Sequence, residues 1–313
     1  MKFYVGVTDN SWFDFLSKLS PDEVNFWQPG GTTAFRRLQP WELFLFKLRA
    51  PLNYIAGGGF FVSHSFLPLS LAWETFEQKN GTEDFEDFRS KIMHLRRQSG
   101  SIEPDPTIGC IILAKPFFFP RDGWIPAPEN WKPGIVQGKT YDASESVGAS
   151  IWAMVQERLA RYKRQYELKE DTIQKVAEDV ALYGSDYLTH ARLGQGAFRV
   201  VITDVYNRKC AITQERTLPV LEAAHIKPYA KSGPHKINNG LLLRSDLHKL
   251  FDLFYLTITP DFHVEVSKRI KEEYKNGREY YALHGKELNL PSNSKYLPSR
   301  EYIEWHNQKF FAS

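Results

Sequence analysis

The stretch LPVLEAAHIKPYAKSGPHKINNGLLLRSDLHKLFDLF, residues 218–254, decides how the rest of the chain is interpreted. It begins as an apolar strand that ends at His225 and continues through a connection rich in proline, glycine and asparagine. A second apolar strand at 241–243 leads into a short helix, whose leucines and phenylalanines recur at helical spacing and predict one buried face. His248 and Asp252 stand four residues apart on this helix. They therefore share a face, where an imidazole and a carboxylate can hold one divalent cation.

The order of three residues in this stretch is the basis of a family resemblance. His225 ends a strand, Asn239 lies in the polar connection, and His248 lies on the helix. This order resembles the HNH, or ββα-metal, nuclease motif, and the likeness extends over about 190–313. The flanking sequence RLGQGAFR at 192–199 is similar to a branch of that family that is rich in restriction endonucleases.

The resemblance implies a role for each of these side chains. Hydrolysis of a phosphodiester needs an activated water, and it needs positive charge to stabilise the phosphorane and the leaving oxygen. His225 is the expected general base, because a neutral imidazole accepts a proton near pH 7. The amide oxygen of Asn239 would orient that imidazole. His248 and Asp252 would bind Mg²⁺ or Mn²⁺.

One position departs from the family pattern. The family usually supplies another metal ligand directly before the first histidine, and this sequence has Ala224 there. Glu222 shares its strand parity with Ala224 and is the candidate replacement ligand, with water as the alternative. The lack of a ligand at position 224 affects which metal binds, and how tightly, more than it affects the reaction itself.

Each of these residues also has an ordinary structural interpretation. A single histidine is more often structural than catalytic, and the Asn-Gly pair at 239–240 is typical of a turn. A histidine and an aspartate four apart are usually a solvated helix face. The residues occur together in the order that the nuclease chemistry requires, and this favours the nuclease interpretation.

Length, charge and cysteine content limit the remaining possibilities. A chain of 313 residues predicts two domains, and a net charge of +3 means that a DNA-binding surface must come from local clustering. Cys110 and Cys210 lie far apart and do not form a paired zinc motif, so we expect reduced thiols and a cytoplasmic protein. The start of the sequence lacks a signal-peptide pattern, and no apolar run approaches the length of a membrane span.

The predicted fold class is α+β, with three successive parts. Residues 1–137 are predicted as a β-rich domain, 138–190 as a helical linker, and 191–313 as the HNH endonuclease domain. The segment NFWQP at 25–29 and the glycine-rich IAGGGF at 55–60 give the first domain its likeness to another family. That domain resembles the PUA-like superfamily, which includes the EVE and SRA readers of modified bases.

The PUA-like resemblance implies that the first domain recognises a flipped, modified base. Readers of this kind hold the base between aromatic faces and contact its edge with polar groups. Phe26 and Trp27 would stack, Gln28 would read the base edge, and Gly58 would allow close approach of the backbone. The alternative is that both aromatic rings belong to the core and that the glycines form a bulge. Arg192 and Gln195 are further candidate DNA contacts in the second domain.

Two functions remain open for the whole chain. The favoured one is a modification-dependent restriction enzyme that recognises modified cytosine in double-stranded DNA through its first domain and cuts with its second. The alternative is a sequence-specific restriction or defence nuclease whose first domain senses another ligand. A degenerate, non-enzymatic DNA-binding protein is a third possibility, against which the intact His225, Asn239 and His248 argue. Since an HNH unit has one active site, cleavage of both strands implies a homodimer or two successive nicks.

Overall fold

A computed structural model describes residues 1–97, 103–163, 193–228, 231 and 233–312 of the chain. The chain divides into two units, Met1–Leu188 and Thr189–Ser313. Both units combine helices and strands, which confirms the α+β class. Among the residues described, no helix combines the length and the apolarity that are needed to cross a bilayer. Cys110 and Cys210 are both buried, and neither forms a disulfide bond with another described residue.

Seven strands form one mixed sheet in the first unit. Their order is β2-β5-β4-β3-β1-β7, and β6 pairs with β4. Strands β1 and β3 run parallel, whereas the other pairs are antiparallel. The strands are β1 Lys2–Thr8, β2 Glu23–Gln28, β3 Leu43–Leu48, β4 Tyr54–Pro68, β5 Thr107–Phe118, β6 Ile125–Pro126 and β7 Gly138–Asp142.

Four helices accompany this sheet in the described part of the first unit. Helix α1 begins where the carboxylate of Asp9 accepts hydrogen bonds from the backbone N–H groups of Ser11 and Trp12. Such a cap satisfies backbone donors that the first helical turn leaves unpaired. The helices are α1 Asn10–Leu19, α2 Leu69–Phe76, α3 Phe85–Arg97 and α4 Ser146–Lys163.

The core of the first unit takes up the two aromatic residues that were expected to stack on a base. Phe26 packs against the rings of Trp12 and Phe44, with ring centroids 5.4 and 4.7 Å apart. Trp27 packs edge-on against Phe88, and its indole N–H donates to the carbonyl of Asn80 at 2.9 Å. Both rings are partly buried and pack against the hydrophobic core, and their stacking on a base stays a prediction.

The glycine segment is also part of the sheet rather than an open loop. Gly58 is buried in the middle of β4, between its partners Leu45 on β3 and Phe117 on β5. A Cβ atom at this position would lie 2.7 Å from both the ring of Phe117 and the carbonyl oxygen of Phe44. The glycine is required for close packing inside the unit, and the expected approach to a base is not supported.

The first unit extends further along the chain than the predicted β-rich domain. The residues of β7 were assigned to the helical linker of 138–190, whereas the structure pairs them antiparallel with β1. Helix α4 follows directly and contacts β7. The remainder of the predicted linker, 164–190, lies outside the described residues.

The second unit has the strand–strand–helix order that the sequence predicted. Strand β8 pairs antiparallel with β9, and helix α6 starts at the residue after β9. A second hairpin, β10–β11, follows, and helix α9 contacts β10. The elements are α5 Gln195–Val205, β8 Leu221–His225, β9 Gly240–Arg244, α6 Ser245–Asp252, β10 Leu256–Ile258, β11 Val264–Val266, α7 Arg269–Tyr274, α8 Arg278–Tyr281 and α9 Arg300–Ala312.

Candidate active site

The candidate active site is built on β8, β9 and α6. His225 is the last residue of β8 and faces Gly240, the first residue of β9, in the ladder. Helix α6 buries Leu247 and Phe251 and leaves the adjoining face, with His248 and Asp252, partly exposed. This division follows from helical geometry, because residues three and four apart share a face.

His225 is a half-buried imidazole enclosed by two aromatic rings. Its ring stacks on Phe198 of α5, with centroids 4.1 Å apart and planes inclined by 10°. Its Nε2 lies 2.8 Å from Nδ1 of His235, a histidine in the connection between β8 and β9. Burial, followed by the charges of His235 and His248, lowers the pKa of His225 to about 4. The ring is therefore neutral at pH 7, as a general base must be.

Asn239 does not touch His225 directly, and this corrects the expected contact. Its side chain is completely buried, and Oδ1 accepts the backbone N–H of Lys227 at 2.9 Å. Its Nδ2 donates to the carbonyl oxygens of Lys227 and Pro234, each at 2.9 Å. The amide thus fixes the backbone of the connection between β8 and β9. It influences the position of His225 only indirectly, through the conformation of that backbone.

Two glycines make this connection sterically possible. A Cβ on Gly240 would lie 2.4 Å from the side chain of Ile202 and 2.9 Å from the ring of Phe198. A Cβ on Gly233 would lie 1.8 Å from the carbonyl oxygen of Lys227. The Asn-Gly pair at 239–240 is therefore more than a turn. Asn239 holds the connection in place through its hydrogen bonds, and Gly240 has no side chain, so α5 can pack against it.

Three side chains from β8 and α6 meet beside this connection. Nδ1 of His248 lies 2.6 Å from Oε2 of Glu222, and its Nε2 lies 3.4 Å from Oδ2 of Asp252. The structure therefore brings Glu222 to the predicted pair, as strand parity indicated. Ala224 is fully buried and offers no ligand atom. Burial raises the pKa of Asp252, although the charges of His248 and Lys249 act in the opposite direction.

The donor set fits a divalent cation in its chemistry. One imidazole and two carboxylates suit Mn²⁺ and Mg²⁺, which prefer oxygen donors and tolerate imidazole. In this structure the three side chains bond to one another, since each imidazole nitrogen of His248 faces a carboxylate. No group of three His, Cys, Asp or Glu residues is arranged around a common metal position in the described ranges.

A buried histidine on α9 packs against the buried face of α6. His306 on α9 stacks on Phe251, with ring centroids 3.7 Å apart, and its Nε2 is 3.0 Å from the carbonyl oxygen of Phe251. Its Nδ1 lies 2.7 Å from the hydroxyl of Thr257 on β10. Burial lowers the pKa of His306 to about 4, so the ring is neutral near pH 7. The neutral tautomer with its hydrogen on Nε2 donates to the carbonyl oxygen of Phe251, while the hydroxyl of Thr257 donates to Oδ1 of Asn307 at 2.6 Å.

Two predicted DNA contacts and three residues without a predicted role also belong to the second unit. Gln195 is exposed at the start of α5, and Arg192 lies outside the described residues. His235, Phe198 and His306 were not predicted as parts of the site. The sequence carried no periodic signal for His235, which lies in an irregular connection, whereas Phe198 is an apolar residue within the regular spacing of α5.

These features define the class of ββα nucleases, and a family comparison supports the same class. The family model described as HNH endonuclease matches residues 210–259. This range contains β8, the connection, β9 and α6. The second unit therefore carries an HNH endonuclease domain. A search of curated proteins found no match.

Several solved structures are distantly similar to this chain, and two of them illustrate the range. ASCH from Zymomonas mobilis is 8% identical, with a TM-score of 0.33, over 48% of this chain and 94% of that chain. A protein described as the modification-dependent TagI restriction endonuclease is 13% identical, with a TM-score of 0.28. That alignment covers 92% of this chain and 75% of the other.

Burial of His306 predicts a pH-dependent stability for the second unit. Above about pH 6.5 the ring is neutral in both the folded and unfolded chains. Between about pH 6.5 and about pH 4 the unfolded chain binds a proton that the folded chain does not, so the free energy of unfolding falls as the pH falls. The expected loss from this group is about 3 kcal/mol over that window.

Chemical denaturation of the full chain at several pH values measures this dependence. The variant His306→Gln should be less stable at pH 7 and should show a shallower decline towards pH 4. Other buried histidines contribute to both proteins, so the difference between the two slopes is the quantity to compare. Equal slopes in the two proteins would refute the assigned role.

Proposed function

We propose that the chain is a metal-dependent DNA endonuclease in which His225 is the general base. The observation that carries the proposal is the placement of a neutral imidazole at the end of β8, beside the helix that carries His248 and Asp252. These residues lie within the segment that matches the HNH endonuclease model. The nuclease class comes from that match, whereas the role of each residue is our inference.

The proposed chemistry assigns a task to each group. His225 takes a proton from a water molecule, whose oxygen attacks the phosphorus atom, and one phosphorus–oxygen ester bond breaks. A divalent cation held by His248, Asp252 and Glu222 would supply positive charge for the phosphorane and for the leaving oxygen. Asn239 keeps the connection closed, so that His225 stays in place.

The role of His225 predicts a loss of cleavage. His225→Ala should reduce cleavage of DNA to background, because it removes the group that accepts the proton of water. DNA binding, measured by gel shift, should be unchanged, since that depends largely on phosphate contacts. His263→Ala is the matched control, because this histidine is in the same unit with a side chain 41% exposed. Cleavage by His225→Ala at the wild-type rate would rule out the assignment.

The metal ligands predict a change in cation requirement rather than in the saturated rate. Asp252→Asn keeps the shape of the side chain and removes its negative charge. The concentration of Mg²⁺ or Mn²⁺ for half-maximal cleavage should therefore rise about 10- to 100-fold, while the rate at saturating metal falls less. Titration of both cations measures this shift. Undiminished cleavage by the wild-type protein in excess EDTA would exclude a metal-dependent reaction.

We further propose that the first unit selects the DNA by recognising modified cytosine. Phe26 and Trp27 pack against the core and are partly buried, so the support comes from polar atoms gathered around Gly109. The position of a Cβ on Gly109 lies 3.1 Å from His64 Nε2 and 3.2 Å from Gln28 Oε1. His64 Nε2 is buried and has no hydrogen-bond partner among the described residues. Burial lowers the pKa of His64 to about 4, so its ring is neutral at pH 7.

These groups could contact the polar edge of a base. Gln28 is partly exposed, and its amide oxygen can accept from the exocyclic amine of a base. The alternative function, in which the first unit senses another ligand, shares the same groups. It is distinguished by whether DNA modification changes binding at all.

Substitution of Gln28 tests the selection of DNA. Gln28→Ala should weaken binding to duplexes with modified cytosine by about 1 kcal/mol, the usual contribution of one hydrogen bond. Binding to the unmodified duplex should stay the same. Gln78→Ala is the control, because Gln78 is exposed on a different segment of the same unit. If the wild-type chain binds and cuts matched modified and unmodified duplexes equally, the first unit does not read modified cytosine.

A further inference from the structure

Three rings form a compact group at the end of β8. Phe198 stacks face to face on His225 and meets His235 edge-on, with centroids 4.1 and 5.7 Å away. The two histidine rings are inclined by 71° to each other, with Nε2 of His225 2.8 Å from Nδ1 of His235. That distance is a full hydrogen bond between two nitrogen atoms. The pair therefore shares one hydrogen between these two atoms.

The backbone around His235 fixes this contact. Its carbonyl oxygen accepts the N–H of Leu193 at 3.1 Å, and the carbonyl of the preceding Pro234 accepts from Asn239. The connection is tied again where Gly233 donates to the carbonyl of Pro228 at 3.0 Å. Because the backbone is held on both sides of His235, its ring is presented to His225 by the fold.

The shared hydrogen decides which nitrogen of His225 can act on water. If Nε2 carries the hydrogen and donates to His235, the neutral ring of His225 has its lone pair on Nδ1. If His235 donates instead, Nδ1 of a neutral His225 carries the hydrogen and cannot accept a proton. Among the described residues, no hydrogen-bond partner faces Nδ1 of His225.

We propose that His235 is a positioning residue that holds His225 in the tautomer with its hydrogen on Nε2, which leaves Nδ1 to accept the proton of the attacking water. The proposal rests on the proposed nuclease function. In this arrangement His235 takes the part that the family resemblance gave to the amide of Asn239. Asn239 acts one step further away, because it fixes the backbone at Pro234 and so places His235.

Two substitutions separate hydrogen bonding from packing at this position. His235→Asn keeps an acceptor near the place of Nδ1 and loses the ring, whereas His235→Phe keeps a ring against Phe198 and loses the acceptor. If His235 acts as an acceptor, His235→Phe should lower kcat about 10- to 100-fold with little change in KM. His235→Asn should stay within a few-fold of wild type. The opposite ranking, or wild-type kcat in both variants, would overturn the proposal.

A second measurement reports the tautomer without any need for activity. Nitrogen-15 NMR of the full chain, labelled at histidine, distinguishes the two neutral tautomers near pH 7.5. The His225 signals are identified by their loss in His225→Ala. The wild-type protein should show hydrogen on Nε2 of His225, and His235→Phe should shift the population towards Nδ1. Hydrogen on Nδ1 of His225 in the wild-type protein would refute the proposal whether or not the His235 variants fold.

The two measurements also keep this inference distinct from the proposed function. If the wild-type chain does not cleave DNA, or if His225→Ala cleaves normally, the proposed function fails while the NMR result still decides the tautomer. If cleavage depends on His225 but both His235 variants behave as wild type, the function stands and the role of His235 is refuted.

Discussion

The side-chain amide of Asn239 is the interaction on which the second unit depends. It is buried without access to water, and it bonds to backbone groups of Lys227 and Pro234 on both sides of the connection. A buried amide that lost these partners would leave unpaired polar groups in a medium of low dielectric, at a cost of about 1–3 kcal/mol for each group. The path from His225 to β9 is therefore determined by one side chain. The ring of His235 and the start of β9 follow from that path.

Helix α6 shows the same dependence on support from outside the site. Its two faces have different tasks, since Leu247 and Phe251 anchor it while His248 and Asp252 meet Glu222. Rigid placement of such groups requires neighbours that lock the element that carries them. His306 on α9 is such a neighbour, because its ring stacks on Phe251 and hydrogen-bonds to the backbone carbonyl of that residue. The placement of the site's side chains thus depends on a residue more than fifty positions away in the sequence.

Local patterns made much of the second unit predictable. The spacing of apolar residues in α6 predicted its buried face, and strand parity indicated Glu222 as a partner for His248. The contacts of Asn239 and His235 were not predictable in this way, because an irregular connection has no period from which its direction could be inferred. The resemblance identified Asn239 as a residue of the site and gave His225 as its partner. In the structure its side chain bonds instead to the backbone of Lys227 and Pro234.

In the first unit, local sequence allowed two interpretations that only long-range pairing could separate. An aromatic pair followed by Gln28 fits a base reader as well as a core strand, and the pairing of β2 with β5 places Phe26 and Trp27 against the core. The strand of 138–142 was missed for a different reason. Its sequence GKTYD has no apolar alternation, and it lies at the edge of the sheet.

The position of β1 has a consequence for synthesis of the chain. This strand is made before the other strands of its sheet, yet it lies between β3 and β7, so one of its edges has no partner until Asp142 has been made. Sheets of this kind, with pairing between distant segments, fold slowly and expose unpaired edges meanwhile. A nascent or truncated chain that ends before residue 138 therefore presents an open strand edge, which is a template for association with other chains.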